Sequence, residues 1–296
     1  MRSAFIDELV TLAKSHHNIA LVVGDLGFSV IEPFADRFPD RFFNAGVAEQ
    51  NMTGMAAGMA SEGYHVFTYS IANFPTFRCA EQVRNDIDYH KLPVTVVAVG
   101  GGVAYGALGY SHHAVQDYAL MRTMPNMLLA TPGDPQEVRA CLRYLVDNPG
   151  PSYLRIGKAG EPSFHADVPD VAPGRWIPVA TEGRDAGRAL LSTGAALGSA
   201  MARTGGEGDH AGASVWSLPL WNMASKPFQA SQLASFDRVV TIEDHLRDGG
   251  FGSWLSESIC DRPDLAPRLG SISLSAEVCG TVGSQAMLHR LGGLSL

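Results

Sequence analysis

Three glycine-bearing segments of this chain carry residue types that could do chemistry: GDLGFS at 24–29, NAGVAEQNM at 44–52 and GGGVAYGALGYSHH at 100–113. Each falls at the end of a brief apolar run that reads as a β-strand, and functional loops in open parallel sheets gather at the C-terminal ends of strands. Glu49 stands about one turn after Gly46, in the first turn of a helix, where exposed backbone N–H groups favour a carboxylate. A carboxyl group held there suits proton transfer, and it equally suits the plain role of a helix N-terminal charge. The third segment is a glycine-rich loop, flexible or tightly turned, that could approach a ligand through its backbone and that ends in His112 and His113. Adjacent histidines point in different directions on a helix or strand, which argues against a shared metal. Cys79, Cys141, Cys260 and Cys279 form no CxxC pair and have no clustered histidine, so they read as buried thiols rather than zinc ligands.

The elements that must position these segments read as alternating helices and strands. Phe5, Leu9 and Leu12 recur at helical spacing over 2–14, and Ile19 to Val23 is a short β-rich run ended by Gly24 and Asp25. Phe42 and Phe43 give another brief strand. Met52, Met55, Ala56 and Met59 form one stripe of a helix over 48–61, whose Gly54 and Gly58 would let a neighbour approach closely. A helix over roughly 76–90 leads to Pro93 and VTVVAV at 94–99, the continuous apolar pattern of a parallel strand covered on both faces. Strands at 127–130 and 153–156 flank a helix for which Asp134, Pro135 and Glu137 supply cap, first-turn proline and capping-box partner. Prolines at 162, 169, 173 and 178 mark 161–187 as a linker. Beyond it, strands at 189–193, 213–218 and 238–242 alternate with helices near 195–203, 250–260 and 281–289, with GGEGDHAG at 205–212 as an exposed loop. The expectation is an α/β chain of two domains, 1–160 and 188–296, each a mostly parallel sheet flanked by helices.

Composition removes several classes of function. The net charge of -8 comes without a basic run that could track a phosphate backbone, which argues against nucleic acid. The start, MRSAFIDELVTLAK, has charges inside its apolar stretch and no run long enough for a membrane span, so a cytoplasmic location is expected. With 46% hydrophobic and only 18% charged residues, the chain predicts dense layering and a surface partly covered by another subunit. Gly24-Asp25-Leu26-Gly27 lacks the GxGxxG spacing of a dinucleotide site, which disfavours a Rossmann-type dehydrogenase.

A family resemblance then becomes specific. NAGVAEQNMTGMAAGMASEG, SIANFPTFRCAEQVRND and the glycine loop with SHHAVQDYALMRTMPNM resemble the pyrimidine-binding domain of the transketolase family, in the form of the stand-alone small subunits of split transketolases. Deoxyxylulose-phosphate synthases and the β-subunits of 2-oxo-acid dehydrogenase E1 components are more distant relatives. The likeness continues through TPGDPQEV and SYLRIGKAG and, in VVTIEDHLRDGGFGS at 239–253, resembles the family's C-terminal domain. The resemblance implies thiamine diphosphate as cofactor, with Glu49 touching N1′ of its aminopyrimidine and driving its activation. It places Ile71, Phe74 and Phe77 as the wall against which the pyrimidine packs. His112 matches the histidine that lies beside the reacting carbons and hydrogen-bonds substrate oxygens, and His113 stands where the family often has glutamine. Arg155 matches an arginine that binds the acceptor's phosphate. Leu108 and, in the first loop, Ser29 complete the expected substrate contacts. Glu243, Asp244 and His245 fall in the C-terminal domain, where the resemblance implies assembly more than chemistry.

The chain also departs from the family pattern. Transketolases usually carry Gly-Glu-Asp-Gly ahead of that histidine, the aspartate holding a donor hydroxyl, whereas the run here is Gly106-Ala107-Leu108-Gly109. A further family histidine, used for sugar phosphate, falls on Gly100. Leu108 removes an acceptor and offers apolar surface, which favours a less oxygenated donor such as pyruvate or a deoxy sugar. No Gly-Asp-Gly with a suitably spaced asparagine is present, so the diphosphate and its Mg²⁺ are expected on a larger partner subunit in an α2β2 heterotetramer, with no metal ligands on this chain. The implied activity is transfer of a two-carbon unit from a ketose or 2-oxo acid donor to an aldehyde-type acceptor. The alternatives are an E1 β-type subunit of a 2-oxo-acid dehydrogenase and a noncatalytic scaffolding subunit.

Overall fold

The computed structural model describes residues 1–205 and 207–295, so Gly206 in the predicted loop and Leu296 in the predicted second domain lie outside the described residues. The strands are β1 (Ile19–Val23), β2 (Phe42–Asn44), β3 (His65–Ile71), β4 (Val94–Val99), β5 (Leu128–Ala130), β6 (Ser152–Ile156), β7 (Ile177–Ala180), β8 (Asp185–Ser192), β9 (Ala213–Ser217), β10 (Leu220–Trp221), β11 (Arg238–Leu246) and β12 (Leu269–Leu274). They form two sheets. The first has the order β10-β5-β6-β4-β3-β1-β2 and is parallel except where β10 runs antiparallel to β5. The second has the order β12-β11-β8-β9-β7, parallel except where β7 runs antiparallel to β9.

Burial explains why the central strands read as continuous apolar runs. Every residue of β1, β4 and β6 is buried, because helices cover both faces of the first sheet. Helices Arg2–Ser15 and Pro135–Asp147 pack together on one face through Phe5, Leu9, Val138 and Leu142, and helix Glu49–Ser61 covers the other through Met52 and Ala56. The cap at Asp134 forms as predicted, its carboxylate accepting the Glu137 N–H at 2.8 Å with Pro135 at the first helical position. Glu137 reaches one residue beyond the capping box, accepting from the Gly133 N–H at 2.6 Å and from the Ser217 hydroxyl at 3.0 Å, so it also ties the helix to β9.

Several stretches differ from the sequence reading, including β12, where the sequence predicts no strand, and three of them bear on the sheets and the site. The span 161–187 is more than a linker, since it contains β7, whose Pro178 hides the strand pattern and is tolerated because β7 is an edge strand. The two-residue β10 leaves the second half of the chain to extend the edge of the first sheet, and it is too short to show a period. The helix expected over 76–90 is broken into Phe74–Phe77, Ala80–Gln82 and a π-helical turn at Val83–Asp88.

The two sheets are joined through buried charge. Arg155, on β6, is only 3% exposed. Its guanidinium pairs with Asp117 at 2.7 Å and with Asp244, on β11, at 2.5 Å, and it donates to the Tyr118 hydroxyl at 2.9 Å and the Ala114 carbonyl at 2.7 Å. Tyr118 stacks on His245 with ring centroids 4.9 Å apart. A β-carbon on Gly101 would collide with the Arg155 guanidinium, and one on Gly102 would collide with the Asp244 carboxylate, so this network dictates part of the glycine run.

Two expected outcomes follow from this junction. Arg155→Met strands two buried carboxylates and is expected to cost about 3–5 kcal/mol in chemical denaturation, a loss below about 1 kcal/mol being incompatible with the network described. Burial, aided by the Arg155 cation, pushes His245 from its usual 6.5 down to about 3. The folded chain thus keeps His245 neutral while the unfolded chain protonates it, so stability is lost as pH falls through the window from 6.5 towards 3, by at most about 1.4 kcal/mol per pH unit. His245→Phe keeps the aromatic stack and should flatten that slope in thermal melts between about pH 7 and 4.5.

Candidate active site between β1 and β3

The first sheet changes direction between β1 and β3, because β1 continues outward to β2 whereas β3 continues to β4 on its other side. Such a switch point opens a crevice at the strand ends. Gly24 closes β1 there and Ser70 lies at the end of β3. Below the crevice, Asn44 Oδ1 accepts the N–H groups of Asp25 at 3.1 Å and Gly46 at 2.9 Å, and Ala45 N–H reaches Val23 O at 2.9 Å. With φ +73° at Gly46, the chain turns so that helix Glu49–Ser61 begins beneath both strand ends.

Glu49, the first residue of that helix, is 1% exposed. Its Oε2 is ion-paired with Arg78, while Oε1 is buried with no hydrogen-bond partner, as are Ser70 Oγ and Thr68 Oγ1. A β-carbon on Gly24 would sit in ordinary contact with Ser70 Oγ at 3.6 Å and Glu49 Oε1 at 3.7 Å, so two unpaired polar atoms lie together beside Gly24. Orphaned buried polar atoms cost about 1–3 kcal/mol each, and a flat heterocycle bearing ring nitrogens and an amino group would satisfy them. The residues present therefore fit an aminopyrimidine.

Phe74 and His112 are linked to Glu49 through Arg78. Their rings meet edge to face at 5.1 Å, and the Arg78 guanidinium lies 4.7 Å from the Phe74 ring. The loop bearing His112 is folded into two 3-10 turns, Gly106–Leu108 and Tyr110–His112, and is tied to the end of β3 by Asn73 Nδ2 donating to Ser111 O at 2.8 Å. Ser111 Oγ lies 3.0 Å from His112 Nδ1, which sets the ring. Ile71 ends β3 at the same place, half-buried. Phe77, in contrast, faces a neighbouring apolar cavity of about 500 Å³ with Tyr110 and Leu120. His113 is buried inside its own loop, 3.5 Å from Gly106 O, and burial pushes its pKa down. Leu108 stands exposed beside Gly109. Ser29 is also exposed, in a left-handed conformation, with its N–H donating to the Glu32 carboxylate at 2.7 Å. Among the described residues, no three His, Cys, Asp or Glu side chains are grouped to hold a metal ion.

One expected contact is corrected. The sequence predicts a free anion-binding fork at Arg155, but Asp117, Asp244, Tyr118 and Ala114 take its N–H groups and neutralise its charge. An accessible cation is Lys158, three residues on, whose Nζ sits 4.8 Å over the Tyr105 ring beside a cavity of about 180 Å³ that Gly101, Ala104, Arg155, Glu161 and Asp244 also line. Tyr105 itself fills the space over Gly100, where a β-carbon would collide with its ring. Arg2 is close as well: burial raises Tyr69 to about 12 and raises Tyr105, and the Arg2 charge opposes both shifts. Arg2 Nε and the Tyr69 hydroxyl are buried without partners. Sequence reasoning missed Arg2, Arg78 and Lys158. The one available cue was that Arg78 follows Phe74 by four residues, the spacing of neighbours on a helix face.

Comparison with known proteins identifies the family. The family model for the transketolase pyrimidine-binding domain matches residues 1–160. A transketolase C-terminal section of Methanocaldococcus jannaschii is 33% identical over 99% of this chain and 92% of its own length. One of the subunits of an apulose-4-phosphate transketolase from Phocaeicola vulgatus is 33% identical over 88% of this chain and 84% of its own. Among solved structures, a split-gene transketolase in the form of an inactive β4 tetramer aligns with a TM-score of 0.83 at 31% identity, covering 99% of this chain and 93% of that one. Transketolase from Leishmania mexicana shares the fold, with a TM-score of 0.77 at 17% identity over 99% of this chain and 43% of that one. The chain belongs to the transketolase family and corresponds, along nearly its whole length, to the C-terminal small subunit of a split transketolase.

Proposed function

We propose that this chain supplies the acid–base half of a thiamine diphosphate-dependent two-carbon transfer, with the diphosphate and Mg²⁺ held by a larger subunit. The observation that carries this reading is the Glu49 carboxylate, buried at the switch point with Oε1 lacking any partner. Thiamine diphosphate would supply an electron sink for the donor's carbonyl carbon. Glu49 would hold a proton at the aminopyrimidine nitrogen, in surroundings dry enough to strengthen that contact. Phe74 and Ile71 exclude water from the ring. His112, with Nδ1 engaged by Ser111, has Nε2 left to meet a substrate oxygen.

Substrate recognition divides between two sides of the site. Leu108 offers apolar surface where a carboxylate would hold a donor hydroxyl, which favours a donor with fewer hydroxyls at that position. Lys158, Tyr105 and Arg2 together suit an anionic end group such as a phosphate. The relatives' names support a phosphorylated ketose donor and a two-chain enzyme. Gly54 and Gly58 have open space above them, and Phe28 and Val47 are exposed in the loops at the strand ends, which leaves surface for the larger subunit in an α2β2 assembly. Among the described residues, no helix is long and apolar enough to cross a membrane.

The test is turnover by the copurified two-chain complex with thiamine diphosphate and Mg²⁺, offering xylulose 5-phosphate or pyruvate as donor. Consumption of xylulose 5-phosphate would support ketose-phosphate chemistry despite Leu108, and with the donor that turns over, Glu49→Gln should lower kcat by at least about 100-fold. Turnover that survives Glu49→Gln unchanged would sink the acid–base role, and Glu49-dependent use of pyruvate alone would move the assignment to acyl transfer. Lys158→Ala should raise KM for a phosphorylated donor by about tenfold with kcat nearly constant, whereas equal effects on kcat would place Lys158 elsewhere.

A further inference from the structure

We infer that Arg78 is a positioning residue for Glu49: it pins Oε2 and so leaves Oε1 as the single oxygen aimed at the cofactor's ring nitrogen. This rests on the reading of Glu49 given above. The last torsion of a glutamate side chain is broad and nearly two-fold, so burial alone does not choose which oxygen points where. Glu49 also begins a helix, and the first turn of a helix presents backbone N–H groups without intrahelical partners. A carboxylate without another anchor would turn back onto those donors and away from the crevice.

The ion pair with Arg78 holds it out of that collapse. The two partners differ sharply in setting, since the arginine side chain is 45% exposed and the glutamate's only 1%, so the arginine reaches in from the mouth of the site to a buried carboxylate. Arg78 is in turn held by the Phe74 ring at 4.7 Å, from one helical turn earlier. The neighbouring thiol, Cys79, is pushed up in pKa by burial and stays uncharged, so it does not compete for the pairing. Opposite the pinned oxygen, Oε1 faces the space over Gly24 beside the unpartnered Ser70 hydroxyl. The planar guanidinium suits this task because it stacks on an aromatic face while offering several donors, whereas lysine offers only a point charge.

The experiment uses the copurified complex with thiamine diphosphate and Mg²⁺ and no substrate. It measures deuterium uptake at the thiazolium C2 position by quenched NMR, and cofactor Kd by tryptophan fluorescence, for wild type, Glu49→Gln, Arg78→Gln and Arg78→Lys. Misaiming one carboxylate oxygen should slow exchange in Arg78→Gln by about 10–100-fold with Kd changed less than about threefold, and Arg78→Lys should fall between that variant and wild type. Wild-type exchange in Arg78→Gln, alongside slow exchange in Glu49→Gln, overturns the role of Arg78 and leaves that of Glu49 standing. Wild-type exchange in Glu49→Gln overturns both. A parallel loss of cofactor affinity, melting temperature and exchange that Arg78→Lys does not relieve makes Arg78 a structural residue and overturns the proposal.

Discussion

A guanidinium buried between carboxylates is the constraint on which the rest of this molecule depends. Arg155 lies on β6 of the first sheet, Asp244 on β11 of the second, and Asp117 on the segment that follows the glycine-rich loop. Charges so far from water are tolerated only in good geometry with their remaining donors and acceptors used. Tyr118, Ala114 and Tyr153 supply such partners, while Asp117 Oδ1 stays buried without one. None of the three segments can slide without uncovering an unpaired charge, so the two sheets and the loop between them hold one arrangement. Gly101 and Gly102 have no side chain because the network occupies that space.

The candidate site inherits its precision from this junction. The loop that begins at the glycine run carries His112 to Phe74, and the C-terminal domain backs it from behind: Gly283 N–H donates to Gly106 O at 3.2 Å, and Leu288 fills the space beside Gly106. The second domain, which contributes no group to the proposed chemistry, therefore sets where His112 stands. On the other side of the crevice, the Asn44 amide ties the loops after β1 and β2 together and delivers Glu49. Most buried polar groups of the interior are paired, as near Asp134, where three backbone or ring donors converge on one oxygen. Buried atoms without partners also occur elsewhere, at Asp117 Oδ1 and His245 Nε2 among others, and at the switch point Glu49 Oε1 and Ser70 Oγ lie together beside Gly24.

Local patterns were legible wherever a short stretch of chain decided its own structure. VTVVAV had to be a doubly covered strand, Asp134 and Pro135 had to start a helix, and Gly46 followed by Glu49 put an acid at a helix N-terminus, because propensity, capping and hydrophobic period act between near neighbours. The pairing of strands across the chain was not legible. Pro178 obscured β7, and two residues of β10 crossing to the first sheet carry no period at all.

The same division holds within the site. The sequence by itself singled out the candidate segments, with Glu49, Phe74 and His112 in them, since residue type and spacing from a turn are local properties. Only the tertiary structure decided which of two cations three residues apart is free, burying Arg155 between Asp117 and Asp244 and leaving Lys158 at a cavity. It also decided that Phe74 rather than Phe77 faces His112, and that Arg78 takes one oxygen of Glu49. The reason is physical: the availability of a charge or a ring face depends on what distant segments bring within a few ångströms of it, and a one-dimensional pattern does not contain those distances.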